Sequence, residues 1–387
     1  MKIAVIANGA WYLFNFRRAL MNELLRAGHD VVAISPPDRY VEALRAEGFE
    51  HVALLLAPSG TNPLVELVTL LRLRRTLKQG GYALALTFTP KINLYTGLAL
   101  HGLGIAHIPN VSGLGRTFVH DSWLTILVKR LYVVAFRSAQ WVLFQNEDDR
   151  AEFLRLKLVD PKRTGRLPGS GVDLEHFSPR AEQTVRKDRL IILFIGRVIA
   201  DKGINEFVEA ARTVRRLQPR IEFQILGPLD TANPSIISPA LFDEWVRSGV
   251  VRYLGVSDDV RPAIAEADCV ALPSYREGVP RSLLEAAAMA KPCITTDVPG
   301  CRDVVDDGRN GWLCAARSAA SLADAILKFV RMPEAARHEM GRRGRLKVER
   351  EFSERIVLDT YLGLIERFDS GCRGSSASGT SSTQREE

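Results

Sequence analysis

The sequence predicts an α/β protein of two doubly wound domains that face each other across a cleft. Three observations predict it. Short β-rich runs alternate with amphipathic helical runs through the first 155 residues, and the alternation starts again at residue 190. Such alternation implies parallel sheets with helices on both faces. Between the two stretches, LPGSGVDLEHFSP (167–179) has Pro/Gly punctuation and no periodicity, which marks a hinge. The length of 387 residues suits two or three domains.

Taken in order, the first half opens with the strand KIAVIA (2–7), and FRRALMNELLRA (16–27) follows as a helix closed by Gly28 at C′. DVVAI (30–34) and HVALLL (51–56) are the next strands. LVELVTLLRLRRTLK (64–78) reads as an amphipathic basic helix. YALALTF (82–88), AHIPNV (106–111) and WVLFQ (141–145) continue the sheet, with the more apolar helix WLTILVKRLYVVAFR (123–137) before the last. Asn146 suits the N-cap of EDDRAEFLRL. In the second half, LIILFI (190–195), IEFQIL (221–226), VVRYL (250–254), CVALP (269–273) and PCITT (292–296) are strands, and 204–217 is a helix. The final SGCRGSSASGTSSTQREE (370–387) lacks apolar content and reads as a disordered tail.

Composition narrows the function classes. With 46% hydrophobic and 25% charged residues, global disorder and fibrous repeats are excluded. The five cysteines form no CxxC pair and are odd in number, so a disulfide framework or zinc site is not expected. No charge-free apolar run reaches 18 residues, and the N-terminus has no secretory pattern, so the chain reads as cytoplasmic. The net charge of +7 lies wholly in residues 1–180, which hold 22 basic and 15 acidic residues. Nine basic residues, Arg72, Arg74 and Arg75 among them, fall between 60 and 140 against two acids. That asymmetry calls for an anionic partner. Nucleic acid is disfavoured because no binding motif is present. Basic residues interleaved with Leu, Val and Ile suit an anionic membrane surface, the alternative being scaffold helices packed on a sheet with their basic residues facing solvent.

Four places carry candidate chemistry. Gly9 ends the first strand and could admit a phosphate, but a single glycine there is not the G-x-G-x-x-G of nicotinamide enzymes. Gly196 and Arg197 end the strand 190–195, and Lys202 precedes the next helix; a strand end with both cations beside a helix N-terminus suits a diphosphate. YREGVPRSLLEAAAMAKP (275–292) is the most specific feature. Glu277 lies in a loop, Pro280 near N1 of the following helix, and Glu285 in that helix, where the apolar LLEAAAMA pattern predicts burial. A sugar-nucleotide site needs such parts: one carboxylate for sugar hydroxyls, another for ribose, and amide donors for phosphate. Turn residues of 295–314 are placed to line the same cleft.

SYREGVPRSLLEAAAMAKPCITTDVPGCRDVV with GR…DKG upstream resembles the retaining glycosyltransferases of family 4, which have the GT-B fold. NGAWYLFNFRRAL, FTPKINLY, NVSGLGRTF, FQNEDD and LPGSGVD look like the branch of capsular-polysaccharide and bacillosamine-linked N-acetylgalactosaminyl transferases. The resemblance covers residues 1 to about 369. It implies an acceptor- and membrane-facing domain (1–170), a nucleotide-sugar domain (171–353) and a helix (354–369) returning to the first domain. Catalytic roles fall on Glu277, Arg197, Lys202 and Lys91. Donor binding falls on Gly9, Gly196, Arg197, Lys202, Gly278, Val279, Pro280, Arg281, Leu283, Leu284 and Glu285, with the amides of 278–281 holding the transferred sugar. Acceptor binding falls on Lys91, Gly113, Gly115 and Arg116.

The family often carries a histidine near FTPKINLY, where this chain has Thr89 and Lys91; His107 and His120 lie elsewhere. The resemblance further implies retention of configuration without a metal or cofactor, a UDP-sugar (an N-acetylhexosamine) as donor and a polyprenyl-diphosphate-linked saccharide as acceptor. The expected location is the cytoplasmic face of the inner membrane, in the assembly of capsule, lipopolysaccharide or another surface polysaccharide. Two readings from other classes stay open: a UDP-sugar epimerase on the same fold and a non-catalytic membrane-associated scaffold.

Overall fold

A computed structural model describes residues 1–56, 63–113, 123–179, 189–230 and 233–377, the last eight of these by backbone alone. Two parallel sheets organise the chain. The first holds β1 (Lys2–Ile6), β2 (Asp30–Ser35), β3 (Glu50–Ala53), β4 (Leu84–Phe88), β5 (Ala106–Val111), β6 (Val142–Phe144) and β7 (Thr164–Arg166), in the order β3-β2-β1-β4-β5-β6-β7. Its helices are α1 (Ala10–Arg26), α2 (Val41–Ala46), α3 (Pro63–Gly80), α4 (Pro90–Ala99), α5 (Trp123–Phe136) and α6 (Glu147–Arg155).

The second sheet holds β8 (Leu190–Ile195), β9 (Ile221–Leu226), β10 (Arg252–Tyr253), β11 (Cys269–Leu272), β12 (Cys293–Thr296) and β13 (Gly311–Cys314), ordered β10-β9-β8-β11-β12-β13. Around it run α7 (Ile204–Leu217), α8 (Pro239–Arg247), α9 (Arg261–Glu266), α10 (Arg281–Ala288), α11 (Cys301–Val304), α12 (Ala319–Arg331) and α13 (Glu334–Glu351); α14 (Glu354–Ala377) closes the chain. Strand order reverses between β1 and β4 and between β8 and β11, and a crevice opens at the carboxyl ends there.

The apolar runs explain the strands. LIILFI is buried from its second residue onward because helices cover both faces of the sheet. The amphipathic stripe of α7 puts Ile204, Phe207, Val208, Ala211 and Val214 into the second core. Cys269, Cys293, Cys301 and Cys314 are buried free thiols. Gly28, at φ 80, follows the C-cap of α1, and the Asn146 side chain caps α6 by accepting from the Asp149 N–H.

Three differences from the pattern have local causes. β7 and β13 are short edge strands containing Gly165 and Gly311, and pairing with β6 and β12 recruits them where propensity is weak. α1 begins at Ala10 rather than residue 16, because Gly9 caps it directly after the strand turn. The backbone of α14 continues to Ala377, past the expected stop at 369, since extending an existing helix costs far less than nucleating one. The remainder of the predicted tail, 378–387, lies outside the described residues. Val357, Leu358, Tyr361 and Ile365 of α14 enter the core beneath α1 and the first sheet.

α4 packs between α3 and α5. α3 leaves Leu64, Val65, Leu67, Val68 and Leu71 exposed beside Arg72 and Arg75, and α5 exposes Ile126, Leu127, Val133 and Val134 beside Arg130. Arg74 departs from the expected free cation: its Nη1 donates to the carbonyls of Ala99 and His101, 2.7 Å each, capping the end of α4. Among the described residues no helix is long and apolar enough to cross a membrane.

His107 is fully buried on β5 with Nε2 2.8 Å from Thr87 Oγ1, and burial pushes its imidazole down from 6.5 to about 3. It is part of the interior and lines no cleft; His120 lies outside the described residues. The unfolded imidazole takes a proton near pH 6.5 and the folded one only near about 3, so stability from this site is lost as pH falls through that window. His107→Asn is therefore expected to lose less stability than wild type between about pH 7 and about pH 5, read as urea midpoints.

Candidate active site

β8 ends at Ile195, and Gly196 and Arg197 follow at its carboxyl end. Arg197 Nη1 donates to Asp230 Oδ2 at 2.9 Å while half of its side chain stays open to solvent. The chain then makes one 3₁₀ turn, Ala200–Lys202, and Gly203 starts α7 at φ 74. A Cβ on Gly203 would stand 2.0 Å from the Pro273 carbonyl, so only glycine lets this turn lie against the end of β11. That approach delivers Lys202. Its Nζ forms a short ion pair with Glu277 Oε1, which also accepts from Ser274 Oγ at 2.7 Å. Both charges are mostly buried, where such pairing is stronger than at the surface.

α10 carries the second carboxylate. Glu285 is buried, as its helix pattern predicts, and accepts from Arg281 Nε at 2.7 Å. Burial raises the Glu285 pKa, and the Arg281 guanidinium opposes that rise. Arg281 also reaches the first half of the chain: Nη1 donates to Asn15 O at 2.7 Å, and the guanidinium lies 4.8 Å from the Phe16 ring centre. Pro280 is the N-cap rather than N1. Leu283 and Leu284, expected at the donor site, are fully buried in the second core. The Val279 N–H, expected among the sugar-holding amides, is given to Gln145 Oε1 at 3.2 Å.

The first half meets this loop at residues to which the sequence assigned no part in the site. Gln145, Asn146 and Asp149 are all buried and touch residues 276–279. Gly113 also abuts it, with its would-be Cβ 3.5 Å from Gly278 N. The available signal was FQNEDD itself, whose Gln and Asn leave a buried strand where apolar residues would ordinarily stand.

Of the other expected residues, Gly9 caps α1, and the Asp38 carboxylate already occupies that helix N-terminus, accepting from the Trp11 N–H at 2.8 Å. An incoming phosphate would have to displace it. Lys91 opens α4 and pairs with Glu66 Oε1 at 2.8 Å. Just before it, Thr89 sits at φ 75, a strained conformation for a β-branched residue, with its Oγ1 buried. Gly115 and Arg116 lie outside the described residues.

Two family models match this chain in succession: the glycosyl transferase 4-like domain over residues 15–169 and the glycosyl transferases group 1 over residues 189–332. The chain is a glycosyltransferase. This glycosyltransferase is 27% identical to the N,N'-diacetylbacillosaminyl-diphospho-undecaprenol alpha-1,3-N-acetylgalactosaminyltransferase of Campylobacter jejuni, over 95% of this chain and 99% of that one. It is 23% identical to the UDP-Gal:alpha-D-GlcNAc-diphosphoundecaprenol alpha-1,3-galactosyltransferase of Escherichia coli, over 68% and 70% of the two chains. Sucrose-phosphate synthase from Thermosynechococcus elongatus superimposes with a TM-score of 0.79 at 19% identity, over 96% of this chain and all of that one. Anabaena Alr3699/HepE, solved with UDP-glucose, gives 0.75 at 15% identity over 96% of this chain and all of its own. The fold is GT-B.

A Cβ on Gly278 would stand 2.3 Å from Gln145 Oε1 and 2.8 Å from Ser112 O. Gly278→Ala is expected to destabilise the protein by about 1–3 kcal/mol through this overpacking, with part of the loss restored by a second change, Gln145→Ala. Urea unfolding of the two variants checks this.

Proposed function

We propose that this enzyme transfers an N-acetylhexosamine from its UDP derivative, with retention, to a saccharide linked to a polyprenyl diphosphate at a membrane surface. The observation that carries the reading is the Lys202–Glu277 pair at the carboxyl ends of β8 and β11, one helical segment from the buried Glu285. End-to-end similarity to a transferase named for a diphospho-undecaprenol substrate supports the acceptor class.

In this reading the donor diphosphate takes up the charge of Lys202 and Arg197, and the sugar hydroxyls donate to the Glu277 carboxylate. Glu285 accepts from the ribose. The C1–O bond to phosphate breaks as the acceptor hydroxyl forms a new C1–O bond on the same face. The hydroxyl proton passes to a donor phosphate oxygen, and UDP departs. Negative charge grows on the diphosphate as that bond lengthens, and cations fixed in a water-poor cleft stabilise it most there. Lys91, held by Glu66 in the first turn of α4 past the carboxyl end of β4, is assigned to the acceptor diphosphate, with Gly113, Gly115 and Arg116 assigned the same task. Gly9 and Gly196 are assigned to the donor diphosphate.

The exposed apolar residues of α3 and α5, flanked by Arg72, Arg75 and Arg130, are read as the surface that rests on an anionic leaflet. This brings the enzyme to its lipid acceptor on the cytoplasmic side.

Two measurements test this. Saturating UDP, at about 100 times its Kd, is expected to stabilise the protein by roughly 2.7 kcal/mol. The thermal shift should be retained with UDP-N-acetylhexosamines and abolished by Glu285→Ala; a shift with GDP alone would overturn the donor. Separately, Arg72→Gln with Arg75→Gln is expected to weaken partitioning onto phosphatidylserine vesicles by about 30-fold, at about 1 kcal/mol per cation, and to leave the UDP shift intact.

A further inference from the structure

The turn from β6 into α6 does more than start a helix. Asn146 Oδ1 caps α6 by accepting from the Asp149 N–H at 2.8 Å. This employs one end of its amide. The other end, Nδ2, stands 2.9 Å from the Gly278 carbonyl, 3.3 Å from that of Glu277 and 3.1 Å from Asp149 Oδ2. One residue earlier, Gln145 Oε1 accepts from the Val279 N–H, and its Nε2 stands 3.4 Å from Asn110 Oδ1. Asn110 Nδ2 in turn donates to Tyr361 Oη of α14 at 3.0 Å. Asp149 is wholly buried and forms a short ion pair with Arg276.

Four consecutive residues, 276–279, thus each have a polar group engaged by this one turn: a guanidinium, two carbonyls and an N–H. Packing alone would need no such set. Buried hydrogen bonds are directional, and leaving one unmade is costly, so they fix a backbone in place more narrowly than apolar contact does. The backbone fixed here carries Glu277.

We infer that Asn146, Gln145 and Asp149 are positioning residues for glycosyl transfer: from the first half of the chain they set the backbone of the loop that presents the Glu277 carboxylate. The inference rests on the role proposed for Glu277. It means the sugar end of the donor site is complete only while the two halves are closed, whereas the cations of the diphosphate end, Arg197 and Lys202, both belong to the second half.

Asn146→Ser isolates the effect. The serine hydroxyl can still cap α6, but it cannot span to the Gly278 and Glu277 carbonyls. The expected result is a melting temperature close to wild type, UDP affinity within about threefold, little change in donor KM, and kcat lower by about tenfold or more. UDP release is followed on whichever UDP-N-acetylhexosamine gives the thermal shift, with a short-chain polyprenyl-diphosphate N-acetylhexosamine as acceptor. Hydrogen exchange across 274–281 should quicken by about tenfold. In a Glu277→Gln background, Asn146→Ser should cost no further turnover, a non-additivity that a merely structural residue would not show.

Asp149→Asn, which keeps the shape and removes the charge facing Arg276, serves if the serine variant unfolds, with the same expectations. Wild-type kcat in the folded variants, or a loss that multiplies fully with that of Glu277→Gln, overturns the inference alone. Full turnover in Glu277→Gln overturns the role of Glu277 and the inference with it.

Discussion

The closeness of the two halves at Gly278 is the constraint on which the site depends. Two parallel sheets can each offer a crevice at their carboxyl ends, but neither crevice encloses a substrate. Enclosure needs the loop after β11 to enter the first half, and there the backbone of Ser112, the amide of Gln145 and the loop itself leave no room for a side chain. Gly278 and the buried amides around it are one solution to one geometric demand. Arg281 repeats it a turn later by donating to Asn15 O while holding Glu285.

The electrostatics divide along the same seam. The second half is neutral overall, and beyond the carboxyl end of β8 Lys202 and Arg197 stand with carboxylates already beside them. Such paired cations are poised rather than free: an arriving diphosphate exchanges one anionic partner for another, at less desolvation cost than charging an apolar pocket. The first half spreads its excess charge over helices whose outward faces are apolar, an arrangement suited to a broad anionic surface rather than a single ligand.

Much of this was legible in the sequence, for reasons that can be named. Strands such as Leu190–Ile195 and helices such as Ile204–Leu217 announce themselves through periodicity, and the burial of Glu285 followed from the apolar helix around it. The cap at Asn146 was legible because capping is local. Its second task was not, because the Gly278 carbonyl lies 132 residues away and no pattern in either segment points to the other. Arg74 failed in the same way: a basic residue on a basic helix reads as solvated, and only the fold brings the carbonyls of Ala99 and His101 to it. Sequence reasoning reached residues whose partners are neighbours or ligands, and missed those whose partners are distant backbone.

The return of α14 to the first half has a consequence for how the chain is made. Tyr361 shares a core with Phe88 and accepts a hydrogen bond from Asn110, so the first core lacks one wall until the last helix leaves the ribosome. Everything from β8 to α13 is synthesised in between. At about 5–20 residues per second, that delay is roughly 10–40 s. During it the side of α1 that packs on α14 stays uncovered, although the first sheet already has all its strands. The first half, although synthesised first, is then the last to have its core completed.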